Sequence, residues 1–342
     1  MFSIRVRVLL ALAFVLTLVL ATGPSARTRR LVLQELGTLP GGSSSIAYAV
    51  NARGQIAGVS EVNGGVWHGF IWHRGQMTDL GILPDGENSV ALGINNRGEA
   101  VGWADRNGVP HAVKWSRGVI TDLGEFPGFT ASRASAINSS GVAAGRLETA
   151  AEVFHAATWF KDGRVVDLNV QSGAASSEAL GINDRGHVVG YTGTAGGGTR
   201  AAIWNRGRAQ VLGTLGGQNS RATAVNTFGS VVGYSNLSDG RERGFLFQGG
   251  RLLQLPSLGG DGSWALGVNS RGLIVGTSQD ATAEVHATVW QNGVPADLNS
   301  LVEDRFGWIL AYANGVNDGG EIVGSAHGSV GDAIVAYRVF TR

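Results

Sequence analysis

The sequence predicts an all-β protein, a seven-bladed β-propeller of four-stranded antiparallel blades whose last blade is closed by the N-terminal strand. Three observations carry this expectation. One short motif recurs seven times at a near-constant spacing. Each copy divides into four short strand-like stretches joined by glycine-containing turns. The two ends of the chain supply complementary fractions of one further copy.

The first element is not part of the repeat. Arg5 and Arg7 precede an apolar run from Val8 to Leu20, and small or turn-forming residues follow at 21–26. Charged, apolar and small segments in that order make a secretory signal peptide. The run falls short of the roughly 20 apolar residues of a membrane span. Cleavage after Ala21 or after Ala26 is compatible with the pattern. The expected division is therefore a signal peptide over 1–26 and a propeller over 27–342, with no membrane span in the mature chain.

The repeat reads Ala-x-(Ala/Gly)-(Ile/Val)-Asn-x-x-Gly-x-x-x-Gly, with its Asn at Asn51, Asn95, Asn138, Asn183, Asn226, Asn269 and Asn317. The spacings are 44, 43, 45, 43, 43 and 48 residues. A first strand ends at the Asn, as in residues 89–95. The Asn-x-x-Gly turn follows, because Asn bonds its own backbone and Gly accepts the positive φ that closes such a turn. The second strand is the apolar run before the last Gly, such as Ile274-Val275-Gly276. A third strand ends on an aromatic residue, as in His68-Gly69-Phe70-Ile71-Trp72. The fourth ends in Asp-Leu-Gly or a relative, as at Asp79, Asp122, Asp167 and Asp297. A four-stranded meander repeated every 40–50 residues is the pattern of propeller blades.

Ring closure follows from the ends. Residues 31–37, Leu-Val-Leu-Gln-Glu-Leu-Gly, match a fourth strand with no first three before it. Residues 333–340 match a third strand with no fourth after it. Joining them completes a seventh blade and leaves no open sheet edge. An open solenoid, which needs caps instead of a shared strand, fits the ends less well.

Composition narrows the function. The formal net charge is +1 and charged residues make up 15%, so the basic stripe of a nucleic-acid binder is missing. Gly is abundant at 54 against 7 Pro, which suits many tight turns. There is no Cys, which removes disulfides, thiolate metal sites and Cys nucleophiles.

The third-strand His-(Ala/Gly)-Phe stretch, the Asp-Leu-Gly strand and the Ile-Asn-x-x-Gly-x-x-x-Gly hairpin resemble the HAF-family probable extracellular repeat proteins of bacteria, over nearly all of residues 31–342. Arg200 and Arg243 depart from that pattern where His is usual. The chain ends at Thr341-Arg342, without the Pro-Glu-Pro sorting tail of some members. The resemblance implies export and a repeat fold, and implies no activity and no catalytic residues.

The recurring polar residues read as framework. His68, His111, His155 and His286 hold one position in different blades, so the ring keeps them apart and each is expected to pair locally. Asp79, Asp122, Asp167 and Asp297 are separated in the same way, whereas a glycosidase needs two carboxylates within roughly 5–10 Å. Trp72, Trp115, Trp159, Trp204, Phe247 and Trp290 are expected to pack between blades. The Leu-Gly-Gly stretches at 215–217 and 258–260 are expected to be loops. No catalytic residue, metal site or cofactor is expected.

Function is expected where the copies differ. Six residues before each Asn the position is small: Ser45, Ser89, Ser132, Ser177, Ser220, Ser263 and Ala311. The next position varies: Ile46, Val90, Arg133, Glu178, Arg221, Trp264 and Tyr312. Arg133, Glu178, Arg221, Trp264 and Tyr312 form one consecutive arc and are the candidate ligand-binding residues at the channel mouth. The expected protein is a secreted or periplasmic, non-enzymatic binding scaffold, acting as a monomer on a glycan, peptide or protein of the envelope or exterior. A polysaccharide hydrolase or lyase with carboxylates at the mouth, and a structural surface component, are the alternatives.

Overall fold

A computed structural model describes residues 30–124, 126–169, 174–328 and 333–341. The expected export segment, residues 1–26, lies outside the described residues. Within them the chain forms seven four-stranded antiparallel sheets. The first blade is β2 (Ser45–Val50), β3 (Ile56–Glu61), β4 (Trp67–His73) and β5 (Gln76–Asp79). The second to sixth repeat that order over residues 89–122, 131–167, 177–213, 216–254 and 259–297. The seventh takes β26 (Trp308–Val316), β27 (Ile322–Gly328) and β28 (Ile334–Thr341) from the C-terminal side and β1 (Leu31–Gly37) from the N-terminal side. Strands β1 and β28 pair antiparallel from Leu31↔Thr341 to Gly37↔Ala336. The protein is thus a seven-bladed β-propeller with its ring closed by the expected strand exchange. No described helix is long and apolar enough to cross a membrane.

Each blade buries both faces against its neighbours. Trp72, Trp115, Trp159, Trp204 and Trp290 at the third-strand ends are all fully buried in separate inter-blade cores. In the fifth blade Phe247 is only half-buried and Phe245, two residues earlier, fills the core. The small residues Ala47, Ala91, Ala134, Ala179, Ala222, Ala265 and Ala313 on the innermost strands are solvent-free, where neighbouring backbones crowd toward the axis.

The repeat's last Gly answers to crowding and not to a turn. Every first strand carries a bulge, as between Ala91 and Gly93. The second-strand Gly pairs across it, as Ala91↔Gly102. A Cβ on Gly102 would overlap the carbonyl oxygen of Val90, and Gly58, Gly145, Gly190, Gly233, Gly276 and Gly324 face the same obstacle. The first Gly of the motif does the turn, with φ between +71° and +89° from Gly54 to Gly320.

Two rings of hydrogen bonds bind the blades. The repeat Asn closes its own turn: in six copies its Oδ1 accepts from the backbone N–H groups two and four residues on, as Asn226 does from Phe228 and Ser230, both at 3.0 Å. Its Nδ2 donates to the backbone oxygen of the next blade's Asn in all seven seams, at 2.9–3.3 Å, and Asn317 to Asn51 completes the circle. At the other end of the first strand a Ser hydroxyl accepts from the preceding blade's third-strand backbone at 2.8–3.0 Å in six seams, as Ala112 N does to Ser132. The seventh has Ala311 there. Thr277 Oγ1 donates to its carbonyl at 2.8 Å instead, and the Asn299 side chain brackets Leu310 through both backbone groups. Asn299 belongs to α1 (Leu298–Leu301), a single helical turn. Each such bond contributes about 1 kcal/mol net, and leaving a buried partner empty costs more.

The Leu-Gly-Gly stretches are not loops. Gly216 and Gly259 open ten-residue first strands, and Leu215 and Leu258 form parallel bridges to Leu237 and Asp280. The absence of side chains at Gly217 and Gly260 lets these segments lie against the backbone at 236–237 and 279–280.

Candidate functional site

The recurring His and Asp meet inside single blades. His68 Nδ1 lies 2.8 Å from Asp79 Oδ2, His155 2.7 Å from Asp167, His286 2.8 Å from Asp297, and His111 3.2 Å from Asp122. The other Asp oxygen accepts the backbone N–H two residues on, at Gly81, Gly124, Asn169 and Asn299. One carboxylate therefore caps the turn and orients the imidazole. The fourth and fifth blades lack the Asp: the register puts Val211 and Gln254 there. Those two blades have Arg200 and Arg243 in place of His. Both guanidiniums bond backbone oxygens, of Gln218 and of Asp261, at the start of the next first strand. The exchange is coherent, since an imidazole without its carboxylate would be left without its partner.

The variable position has a different character. Its residues lie on the first strands, paired with second-strand residues that also vary: Arg133↔Arg146, Glu178↔Tyr191, Arg221↔Tyr234, Trp264↔Thr277 and Tyr312↔Ser325. Four of the five candidates lean into the seam toward the preceding blade. The Arg133 guanidinium stacks 4.7 Å from the Trp103 ring centre. Glu178 accepts from Arg146 at 2.9 Å across the seam and from Tyr191 at 2.8 Å in its own blade. Arg221 stacks 4.5 Å from the Tyr191 ring centre. Trp264 Nε1 donates to Glu242 Oε2 at 2.7 Å. These contacts make an Arg133–Trp103 stack across the seam of blades two and three and a chain of Arg146, Glu178, Tyr191 and Arg221 over blades three to five, with the Glu242–Trp264 pair beyond it. Tyr312 stands apart. It is 45% exposed, and among the described residues it shares no hydrogen bond, ion pair or ring contact with the other four.

The arc is half-buried, and its electrostatics reflect that. Burial, with the neighbouring Arg146 guanidinium, pushes Arg133 below its usual value. Burial and the adjacent Glu178 carboxylate raise the Tyr191 phenol. Burial also raises Tyr234, against the opposing influence of Arg221. A cleft of about 430 Å³ opens at the arc's later end, lined by Thr199, Asn219, Arg221, Tyr234, Glu242 and Trp264. Sequence reasoning missed the second-strand and third-strand members, Trp103, Arg146, Tyr191, Tyr234 and Glu242. The signal was there, since the second-strand position also runs Val59, Trp103, Arg146, Tyr191, Tyr234, Thr277 and Ser325.

The opposite mouth is a different kind of surface. It is a cavity of about 190 Å³ ringed by the seven repeat Asn residues and their neighbours. Their amides are spent on the turns and the ring of seam bonds.

No family model matches the chain, and no curated protein matches it; the HAF resemblance rests on the repeat motifs alone. Solved structures match as propellers. A puromycin-hydrolyzing peptidase of Mycobacterium tuberculosis is 14% identical at a TM-score of 0.60, covering 88% of this chain and 54% of that one. The β-propeller domain of the Trilobed protease from Pyrococcus furiosus is 10% identical at 0.55, covering 85% and 92%. The extracellular domain of a putative one-component system from B. thetaiotaomicron is 10% identical at 0.52, covering 89% and 39%. The chain therefore spans about half or less of two of these longer proteins. At such identities the likeness is one of fold.

Proposed function

We propose that the protein is an exported, non-enzymatic binding scaffold that receives its ligand along the arc of Arg133, Glu178, Arg221, Trp264 and Tyr312. One observation carries this reading: the Asn, Ser, His, Asp and Trp positions are consumed by contacts that recur from blade to blade, while the variable positions gather charged and aromatic groups, differing from blade to blade, on one arc. The cleft beside Arg221 and Trp264 has the volume of a small-ligand site. The binding reading is favoured over hydrolysis because Glu178 is engaged at both oxygens and Glu242 holds Trp264. Export is supported by the charged, apolar and small-residue order of residues 1–26. One propeller of similar fold is named as an extracellular domain.

The test is affinity capture from cell envelope and culture medium, run in parallel with the Arg133→Ala/Arg221→Ala/Trp264→Ala variant. A component retained by the parent protein and lost from the variant supports the arc. Retention of the same components by both, with the variant folded, places binding elsewhere on the propeller.

A further inference from the structure

Five arginines stack on aromatic rings: Arg133, Arg146, Arg164, Arg221 and Arg338. Three of them are neutralised at their edges. Arg146 pairs with Glu178 at 2.9 Å, Arg338 with Glu321 at 3.0 Å, and Arg164 with Asp162 at 3.8 Å. Among the described residues, no carboxylate lies within 4.0 Å of Arg133 or Arg221. Arg133 Nε is enclosed and makes no hydrogen bond among the described residues, which leaves the terminal Nη groups as the donors Arg133 can offer a ligand. Stacking uses the face of a guanidinium and leaves its in-plane N–H donors to the edges, where Arg221 directs one toward the Tyr234 phenol and keeps the others for a ligand. A half-buried cation held that way is a receptor for a planar, bidentate anion, and a carboxylate fits it best. The two sit at one repeat position, two blades apart, and so at the same level of the ring.

The surroundings narrow the ligand further. Beside Arg221 the cleft also presents an acceptor: Glu242 Oε1 receives no hydrogen bond among the described residues, and its partner oxygen fixes the Trp264 ring. Asn219 and Thr199 complete the polar wall. A ligand suited to this cleft brings a carboxylate for Arg221 and hydroxyl donors for Glu242, beside an aromatic ring, and one long enough to run along the arc to Arg133 brings a second carboxylate there. We infer that the arc binds an oligosaccharide carrying uronic-acid residues, whose carboxylates are received by Arg133 and Arg221. This inference rests on the binding-scaffold reading and specifies its ligand. A glutamate-rich peptide brings the carboxylates without the hydroxyls and is the competing occupant.

The experiment is calorimetric titration of the purified protein with trimers of galacturonate, glucuronate and mannuronate, with the methyl ester of each, and with hexaglutamate. At least one uronate trimer should bind, and its ester, of the same shape without charge, should bind at least about tenfold more weakly. Arg133→Met and Arg221→Met keep the stacked stem and remove the charge, and each should weaken binding by about tenfold. Equal affinity for acid and ester overturns the assignment even if a variant fails to fold. Unchanged affinity in both variants overturns it as well. Hexaglutamate binding without uronate binding shows the arc to be a peptide site. If no probe binds while the capture experiment still returns a component lost from the triple-alanine variant, this inference falls and the scaffold reading stands.

Discussion

Replacing Asn226 tests the idea that the repeat motif is an inter-blade latch as much as a turn. Its side chain is 6% exposed and makes three bonds: Oδ1 accepts from Phe228 N and Ser230 N at 3.0 Å each, and Nδ2 donates to Asn269 O, in the next blade, at 3.1 Å. Asn226→Ala removes all three and leaves two N–H groups without partners, while the Asn269 carbonyl keeps its bond from Gly272 N. At about 1 kcal/mol per bond, with a further penalty for the orphaned groups, the cost is about 3–5 kcal/mol. For a chain of this length that lowers the thermal midpoint by about 4–7 °C. Asn226→Asp separates the two roles. It keeps the acceptor for both N–H groups, so the turn survives, but it sets an oxygen against the Asn269 carbonyl. Its expected cost is about 2–3 kcal/mol. The exposed neighbour Thr227 is the control, since Thr227→Ala should change stability by no more than about 0.5 kcal/mol. Urea unfolding followed by tryptophan fluorescence reads all three. Parental stability in Asn226→Asp would refute the latch, and a neutral Asn226→Ala would refute the whole role of the motif.

The other expectations follow the same logic. Gly102→Ala puts a Cβ onto the Val90 carbonyl at a first-strand bulge and should cost about 3 kcal/mol in denaturant unfolding, whereas Gly196→Ala, with open space around it, should be nearly neutral; equal effects would sink the close-packing argument. Asp167→Val strips His155 and the Asn169 N–H of their partner and should cost about 2 kcal/mol. Adding His155→Arg, as in the two blades that lack the Asp, should recover about half of that in a double-mutant cycle, and strict additivity argues against the exchange. Deleting residues 31–37 bares the β28 edge and removes Leu33 and Leu36 from the cores on either side of the closing blade. Calorimetry should then show loss of the single cooperative transition, and an unaltered melting curve would count against closure as a stability determinant.

Much of this molecule is legible without coordinates because a repeat multiplies weak local signals. The Asn-x-x-Gly turn, alternating apolar positions and terminal fractions of a blade each depend on contacts within a few residues, and seven copies of them specify blade number, strand order and closure. The recurring His and Asp could be assigned to local pairing because equivalent blade positions cannot converge. Other features escaped for the opposite reason. Neither the Asn amide reaching a carbonyl some 43 residues on nor the Ser hydroxyl crossing a seam has any local signature. The last Gly recurs at the second strand without a local reason, and only the first-strand bulge, which pushes a carbonyl into the space its Cβ would take, explains it. Leu215-Gly216-Gly217 reads as loop by composition, yet a neighbouring backbone recruits it into a strand.

The candidate arc divides along the same line. The sequence by itself determined which first-strand positions differ among blades, since comparing copies needs no third dimension. Only the tertiary structure decided what those positions meet. A residue on one blade and its partner on the previous blade are brought together by the curvature of the ring, which no local pattern encodes. That curvature sets Arg133 on Trp103 and Arg221 on Tyr191, bonds Arg146 to Glu178, and leaves Tyr312 alone.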